Sequence, residues 1–296
     1  MVKQSKKILA NIPVDLKSII KTPITVTPNT GILTARDMLL RYKIGRLVVE
    51  SNKKPIGIVT EKDIAKSISV FSEKPIGKIS VGNIMSKDLI TTTLDSSIYD
   101  CAKLMKTYGI SSIIIKNNAE KLVGLVTKTD LVSTFLIQST ASLNISKIMT
   151  KKIVTVSPND SVFEVESILF NNKIGRVIVV KNHQPVGIIT YRDFVPAKTF
   201  DFSKEFTNPY EREEISQNPQ LNEFNVNRLS YLLTFSASDI MTKNPFIVYS
   251  DDVVYTAAIL MIRHGISGIP VMKNKKLVGI VTKSDIVNVL ATKGKL

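Results

Sequence analysis

The stretch Gly57-Ile58-Val59-Thr60-Glu61-Lys62-Asp63-Ile64-Ala65 decides how this chain of 296 residues is built, because it returns three times. Its counterparts begin at Gly124, Gly187 and Gly279, and each places a threonine three residues before an aspartate: Thr60 and Asp63, Thr127 and Asp130, Thr190 and Asp193, Thr282 and Asp285. Working upstream, each copy has a second matching segment. Lys43 to Val49 and Lys173 to Val179 share Ile-Gly-Arg, whereas Gly109 to Ile115 and Gly265 to Val271 share Gly-Ile-Ser. Further upstream lie four short lead-in segments at Pro23 to Val26, Leu89 to Thr92, Ile153 to Val156 and Phe246 to Tyr249. Three of these follow an Ile-Met-Ser/Thr step, at Ile84-Met85-Ser86, Ile148-Met149-Thr150 and Ile240-Met241-Thr242. Self-similarity of this length marks a repeat architecture, in which each unit is too small to close its own core.

The aspartates are spaced by 67, 63 and then 92 residues, so the last gap holds an insertion. Copies one and three resemble each other, as do two and four, which reads as a duplicated pair. The expected domains are therefore 1–140, with repeats at about 16–70 and 81–137, and 141–296, with repeats at about 145–195 and 238–292. Within a repeat the order is strand, helix, strand, strand, helix. In copy two, Ile98, Cys101, Ala102, Met105 and Tyr108 fall on one helical face. The β-rich runs that follow, Ile113 to Ile115 and Leu122 to Val126, flank the polar Lys116-Asn117-Asn118-Ala119-Glu120, a hairpin signal. Pro196 is expected to shorten the helix after Asp193.

Four copies in register resemble the CBS domain, named after cystathionine β-synthase. Their arrangement is similar to that of the regulatory γ subunit of AMP-activated protein kinase. The resemblance implies an α/β (α+β) fold of four CBS repeats, packed as two pseudo-twofold tandem pairs with two clefts per pair. It also implies ligands containing adenosine: AMP, ADP, ATP, S-adenosylmethionine or NAD. The implied ribose contacts are Thr60 and Asp63, Thr127 and Asp130, Thr190 and Asp193, and Thr282 and Asp285. A carboxylate suits a ribose diol because both hydroxyls donate to it in charge-assisted bonds. The same Thr-x-x-acid pattern is also a helix-capping signature that needs no ligand, and the sequence leaves both readings open.

For phosphate, the resemblance points to Arg46 and Arg176, whose copies are Ser112 and Gly268, with support from Lys62, Lys128, Arg192 and Lys283. Lysine outnumbers arginine 32 to 8 in the chain, so arginine twice at one repeat position favours a role for its fixed fork. Adenine is expected against the lead-in segment of the partner repeat. This sets Ile90 and Thr91 opposite Asp63, Ile24 and Thr25 opposite Asp130, Ile247 and Val248 opposite Asp193, and Val154 and Thr155 opposite Asp285. In copy four Val248 is read as standing where the others have threonine.

One cysteine, Cys101, and two histidines, His183 and His264, exclude a disulfide framework and a cysteine-based zinc site. No nucleotide-hydrolysing, zinc-protease or nucleophile-elbow motif is present, which directs the reading to a non-catalytic regulatory module with no cofactor beyond its regulatory nucleotide. The apolar runs are strand-sized and no secretory pattern opens the chain, so the expected compartment is the cytoplasm and no membrane contact is expected. The formal charge of +15 predicts attraction to phosphates but does not say whose. A nucleic-acid-binding protein, RNA or DNA, and a structural adaptor with vestigial clefts therefore remain alternatives, alongside signalling to a protein partner or a second copy. The insertion at 195–237 is net −2 and carries seven of the 19 aromatics. It is expected to cover a cleft or a partner-binding face, or to serve as a spacer.

Overall fold

A computed structural model describes residues 15–70, 78–138, 143–197 and 235–293. Most of the aromatic insertion lies outside them. The four copies fold alike. Repeat 1 runs β1 (Thr25–Val26), α1 (Ile32–Arg41), β2 (Arg46–Ser51), β3 (Lys54–Thr60) and α2 (Glu61–Val70); repeat 2 runs β4 (Thr91–Thr92), α3 (Ile98–Thr107), β5 (Ser112–Lys116), β6 (Leu122–Thr127) and α4 (Lys128–Gln138). Repeat 3 runs β7 (Thr155–Val156), α5 (Val162–Asn171), β8 (Arg176–Lys181), β9 (Gln184–Thr190) and α6 (Tyr191–Ala197). Repeat 4 starts from the short β10 (Thr242–Lys243) and continues β11 (Val248–Tyr249), α7 (Val254–Arg263), β12 (Gly268–Lys273), β13 (Lys276–Thr282) and α8 (Lys283–Lys293). Helix α6 is described as far as Ala197 and includes Pro196.

Local chemistry explains these elements. The first helix of each repeat buries one stripe: Ile98, Cys101, Ala102 and Met105 in α3, and Val254, Ala257, Ala258 and Met261 in α7. Ser97 with Asp100 and Ser161 with Glu164 form reciprocal caps that start α3 and α5. Three of the hairpins turn on two consecutive residues with positive φ, Asn52-Lys53, Asn182-His183 and Asn274-Lys275. That backbone matches the twist of the flanking strands, and asparagine tolerates it better than most residues. In every sheet the lead-in strand pairs parallel to the middle strand, which pairs antiparallel to the last.

Tandem repeats are laced together by the segment before each lead-in strand. Lys21 bridges Leu125, Ser86 bridges Ile58 and Thr150 bridges Ile280, while Thr242 pairs with Ile188. One residue earlier, the side chain covers the motif glycine of the partner. A Cβ added at Gly57 would lie 2.5 Å from Met85 Sδ, at Gly187 2.3 Å from Met241 Sδ, at Gly279 2.8 Å from Met149 Sδ, and at Gly124 2.4 Å from Ile20. The two recurring sequence motifs are thus the two halves of one contact. The turn before each lead-in also inserts an apolar residue into the partner: Leu16 and Ile145 join the core of repeats 2 and 4, Val81 that of repeat 1, and Ala237 that of repeat 3.

The largest core does not stay within a tandem pair: it joins repeats 2 and 4, which belong to different pairs. Helix α8 lies on α3 and α4, and α7 lies on α4. Repeats 1 and 3 meet more narrowly, through α2 and α6, with Ala65 reaching into the core of repeat 3. Between the sheets of repeats 1 and 2, among the described residues, a small cluster of Val48, Ile114 and Leu125 is buried. The four-repeat body is therefore closed by helices between pairs.

Candidate ligand-binding site

This closure brings the second helices together at their N-termini, and the two middle residues of Thr-x-x-Asp make the diagonal contacts. Lys128 Nζ donates to Ser284 Oγ at 2.8 Å, and Lys283 Nζ donates to Thr129 Oγ1 at 2.9 Å. On the other diagonal Arg192 Nε donates to Glu61 Oε1 at 2.6 Å, while Lys62 lies 5.6 Å from the centre of the Tyr191 ring. Of the six cations expected at phosphate, Arg192 and Lys62 are thus engaged by Glu61 and Tyr191.

The other four converge. Arg46 crosses to the partner repeat and donates to the Ser111 carbonyl at 2.6 Å. Arg176 does the same in the second pair, donating to the Ser267 carbonyl and, at 2.9 Å, to Ser267 Oγ. A Cβ on Gly268 would strike the Arg176 guanidinium. The alternation of arginine with serine or glycine at this position is therefore a fit of a long residue on one repeat over a small one on its partner. Among the described residues none of Arg46, Lys128, Arg176 and Lys283 has a carboxylate within ion-pair distance. Burial lowers the pKa of all four, and Arg46 and Arg176 further disfavour the charge on Lys128 and Lys283. Arg176 falls to about 10 and Lys283 to about 8. Lys283 is buried and Arg46, Lys128 and Arg176 are half-buried, with Glu61, Asp130 and Asp285 acting on them electrostatically but out of contact. Cations held by neutral hydroxyls and carbonyls at partial burial suit an anionic ligand.

Around this centre stand the four aspartates. In each, Oδ2 accepts both the backbone N–H and the hydroxyl of its threonine, at 2.6 to 2.9 Å. The capping interaction is real, and it uses one oxygen only. Among the described residues no donor side chain occupies Oδ1 of Asp63, Asp193 or Asp285, and all three are half-buried. Burial raises their pKa values, while the threonine bonds pull them back. Asp130 differs: its Oδ1 is 2.5 Å from Lys21 Nζ. Arg176 and Lys128 both act electrostatically on Asp285, so that cleft combines a carboxylate oxygen free of side-chain donors with two of the central cations.

The lead-in strands place Thr25, Thr91 and Thr155 opposite Val48, Ile114 and Ile178 of their own sheets, with Ile24, Ile90 and Val154 just before them. Repeat 4 corrects the sequence alignment by one residue. Val248 pairs with Val271, the counterpart of Val49 and Val179, so it matches Val26 and Val156 and is a core residue, 1% exposed. Ile247, 41% exposed, is what stands where the others carry threonine, and Phe246 takes the place of Val154, stacked on His264 at 4.1 Å. Phe246 was missed because a two-residue strand shows no alternation to fix its register.

The CBS domain family matches residues 16–70, 81–136, 145–198 and 237–292, and the chain belongs to it. The chain is 26% identical over 281 residues to the uncharacterized protein MJ1404 of Methanocaldococcus jannaschii; the match spans 92% of the chain and 60% of that relative. It is 23% identical to the uncharacterized protein MJ1225 of the same organism, over 92% of the chain and 96% of the relative. The crystal structure of MJ1225 superposes with a TM-score of 0.78 at 22% identity, covering 94% of this chain and all of that one; its description proposes an archaeal homolog of g-AMPK. CBS domain pairs of other proteins have been solved with adenosine ligands, as for MJ0100 with 5′-methylthioadenosine and S-adenosyl-L-methionine (26% identity, TM-score 0.37, 52% of this chain and 99% of that one). Among the described residues no helix is long and apolar enough to cross a membrane.

Proposed function

We propose that the chain is a non-catalytic regulatory module, working in the cytoplasm, that binds adenosine-containing ligands between its repeats and signals to a protein partner or a second copy. The observation that supports this reading is the centre itself: among the described residues four cations are in contact with hydroxyls and carbonyls and with no carboxylate, while Asp63, Asp193 and Asp285 each have one oxygen with no side-chain donor after capping their helices. Phosphate would answer the cations and a ribose diol the carboxylates. Thr60, Thr190 and Thr282 hold those carboxylates in place, and the lead-in residues Ile24, Thr25, Ile90, Thr91, Val154, Thr155 and Ile247 supply apolar and backbone surface for adenine. AMP, ADP and ATP fit this division of labour best; S-adenosylmethionine and NAD share the adenosine but differ in charge. The signal is limited to the ligand's difference in affinity between two packings of the pairs.

Calorimetric titration with AMP tests the reading. Replacing Asp63, Asp193 and Asp285 together by asparagine is expected to abolish binding, because each replaced carboxylate loses charge-assisted bonds of roughly 1.5 to 3 kcal/mol. Retained AMP affinity would sink the ribose assignment. Steeply salt-dependent binding of a short RNA or DNA, without AMP binding, would favour the nucleic-acid alternative that the charge of +15 keeps open.

A pH dependence follows from Lys283. Its free-state pKa of about 8 lies below the usual lysine value, and a bound phosphate stabilises the protonated form. Binding should therefore take up a proton near pH 8. AMP affinity should fall as pH rises through 8 towards the usual lysine range, beyond which the complex also loses the proton. Titration in buffers of different ionisation enthalpy reads the uptake directly; affinity that is flat from pH 7 to 10 would exclude Lys283 from the phosphate.

A further inference from the structure

We infer that Lys21 closes one of the four clefts, so that the chain offers three ribose carboxylates where its sequence shows four. This rests on the reading of the clefts as nucleotide sites and specifies which of them are open. The four repeats serve as internal controls for one another. At the bridge between tandem repeats, three copies present a hydroxyl: Ser86 opposite Ile58, Thr150 opposite Ile280 and Thr242 opposite Ile188. The fourth presents Lys21 opposite Leu125. Its backbone is held by the same reciprocal hydrogen bonds, Lys21 N–H to the Leu125 carbonyl at 3.0 Å and Leu125 N–H to the Lys21 carbonyl at 2.9 Å. What differs is the side chain, which crosses to Asp130 in the first turn of the helix that follows that strand.

The consequence is local and complete. Asp130 Oδ2 is spent on Thr127, and Oδ1 lies 2.5 Å from the Lys21 ammonium. The Asp130 side chain is 3% exposed, whereas Asp63, Asp193 and Asp285 remain half-open. The lysine is itself 69% exposed and lies over the carboxylate from the solvent side. A ribose diol would have to displace a full positive charge from the only oxygen left to it. Neutral hydroxyl donors are a poor exchange for an ammonium at that position.

The experiment compares AMP stoichiometry by calorimetry in the wild-type chain, Lys21→Thr, Lys21→Arg and the double variant Lys21→Thr/Asp130→Asn. Threonine is the residue two sister repeats carry at this bridge. Lys21→Thr is expected to bind one more AMP than wild type, Lys21→Arg the wild-type number, and the double variant to return to it. A gained site cannot arise from misfolding, which keeps the result decisive even if the double variant is unstable. An unchanged number in Lys21→Thr, or a site gained by Lys21→Arg as well, overturns the closure. If wild type and every variant bind no AMP, the nucleotide reading itself fails, an outcome distinct from either of those.

Discussion

Substituting Lys283 by methionine is expected to stabilise the ligand-free protein and to weaken AMP binding about tenfold to a hundredfold. The two effects have one cause. Lys283 is buried, donates to Thr129 Oγ1, and is repelled by Arg176 and Arg46 more than Asp130 offsets, so burial first and the neighbouring cations second hold its pKa at about 8. With the folded pKa below the unfolded one, the unfolded chain binds the extra proton between those values, and stability rises with pH across that window. Below pH 8 the folded state carries the full penalty, roughly 3 kcal/mol at about 1.4 kcal/mol per pKa unit. Losing the threonine hydrogen bond costs about 1 kcal/mol in return, leaving a net gain of about 2 kcal/mol. Thermal melts at pH 7 should rise by several degrees, and the gain should shrink as pH increases past 8. A lower melting temperature for the variant at pH 7 would show that the cation cluster is already neutralised within the protein.

The second large effect is mechanical. Gly124→Ala is expected to cost about 1 to 3 kcal/mol, because its new methyl would overlap Ile20 at 2.4 Å and press on the Lys21 carbonyl at 3.1 Å. The neighbour is a branched side chain and a backbone oxygen, so neither yields as a methionine does. In an Ile20→Ala background the alanine should cost far less, since the atoms it meets are gone. A double-mutant cycle by chemical denaturation measures the coupling. Additive costs would mean that the two motifs do not interlock across the tandem pair.

The repeat order, the hairpins and the threonine–aspartate cap could be read from the sequence because each is local and recurs in four contexts. Gly57 and Met85 were each visible as repeat signatures, but their contact lies between repeats, and no spacing within one repeat reports it. The core shared by repeats 2 and 4 was hidden for the same reason: Met105 reads as a core residue of its own helix, and nothing in its periodicity says that it joins Met261 of repeat 4 in one cluster. Arg192 and Lys62 read as phosphate ligands because their diagonal partners, Glu61 and Tyr191, lie in another copy of the same motif. Lys21 escaped notice because Ile19-Ile20-Lys21 lacks the methionine and the hydroxyl that identify its three counterparts. The clue was present as a departure from the repeat.

The crossing of Leu16, Val81, Ile145 and Ala237 into their neighbours' cores makes the tandem pair, not the single repeat, the smallest unit whose turns and interiors match. A gene fragment encoding one repeat would carry a turn meant for a neighbour and lack the turn its own interior requires. A pair taken alone would keep both of its turns seated but leave exposed the helical flank that the other pair covers. In this chain the flank of one pair is met by that of the other, so the surface that a lone pair would leave open becomes the interior of the molecule.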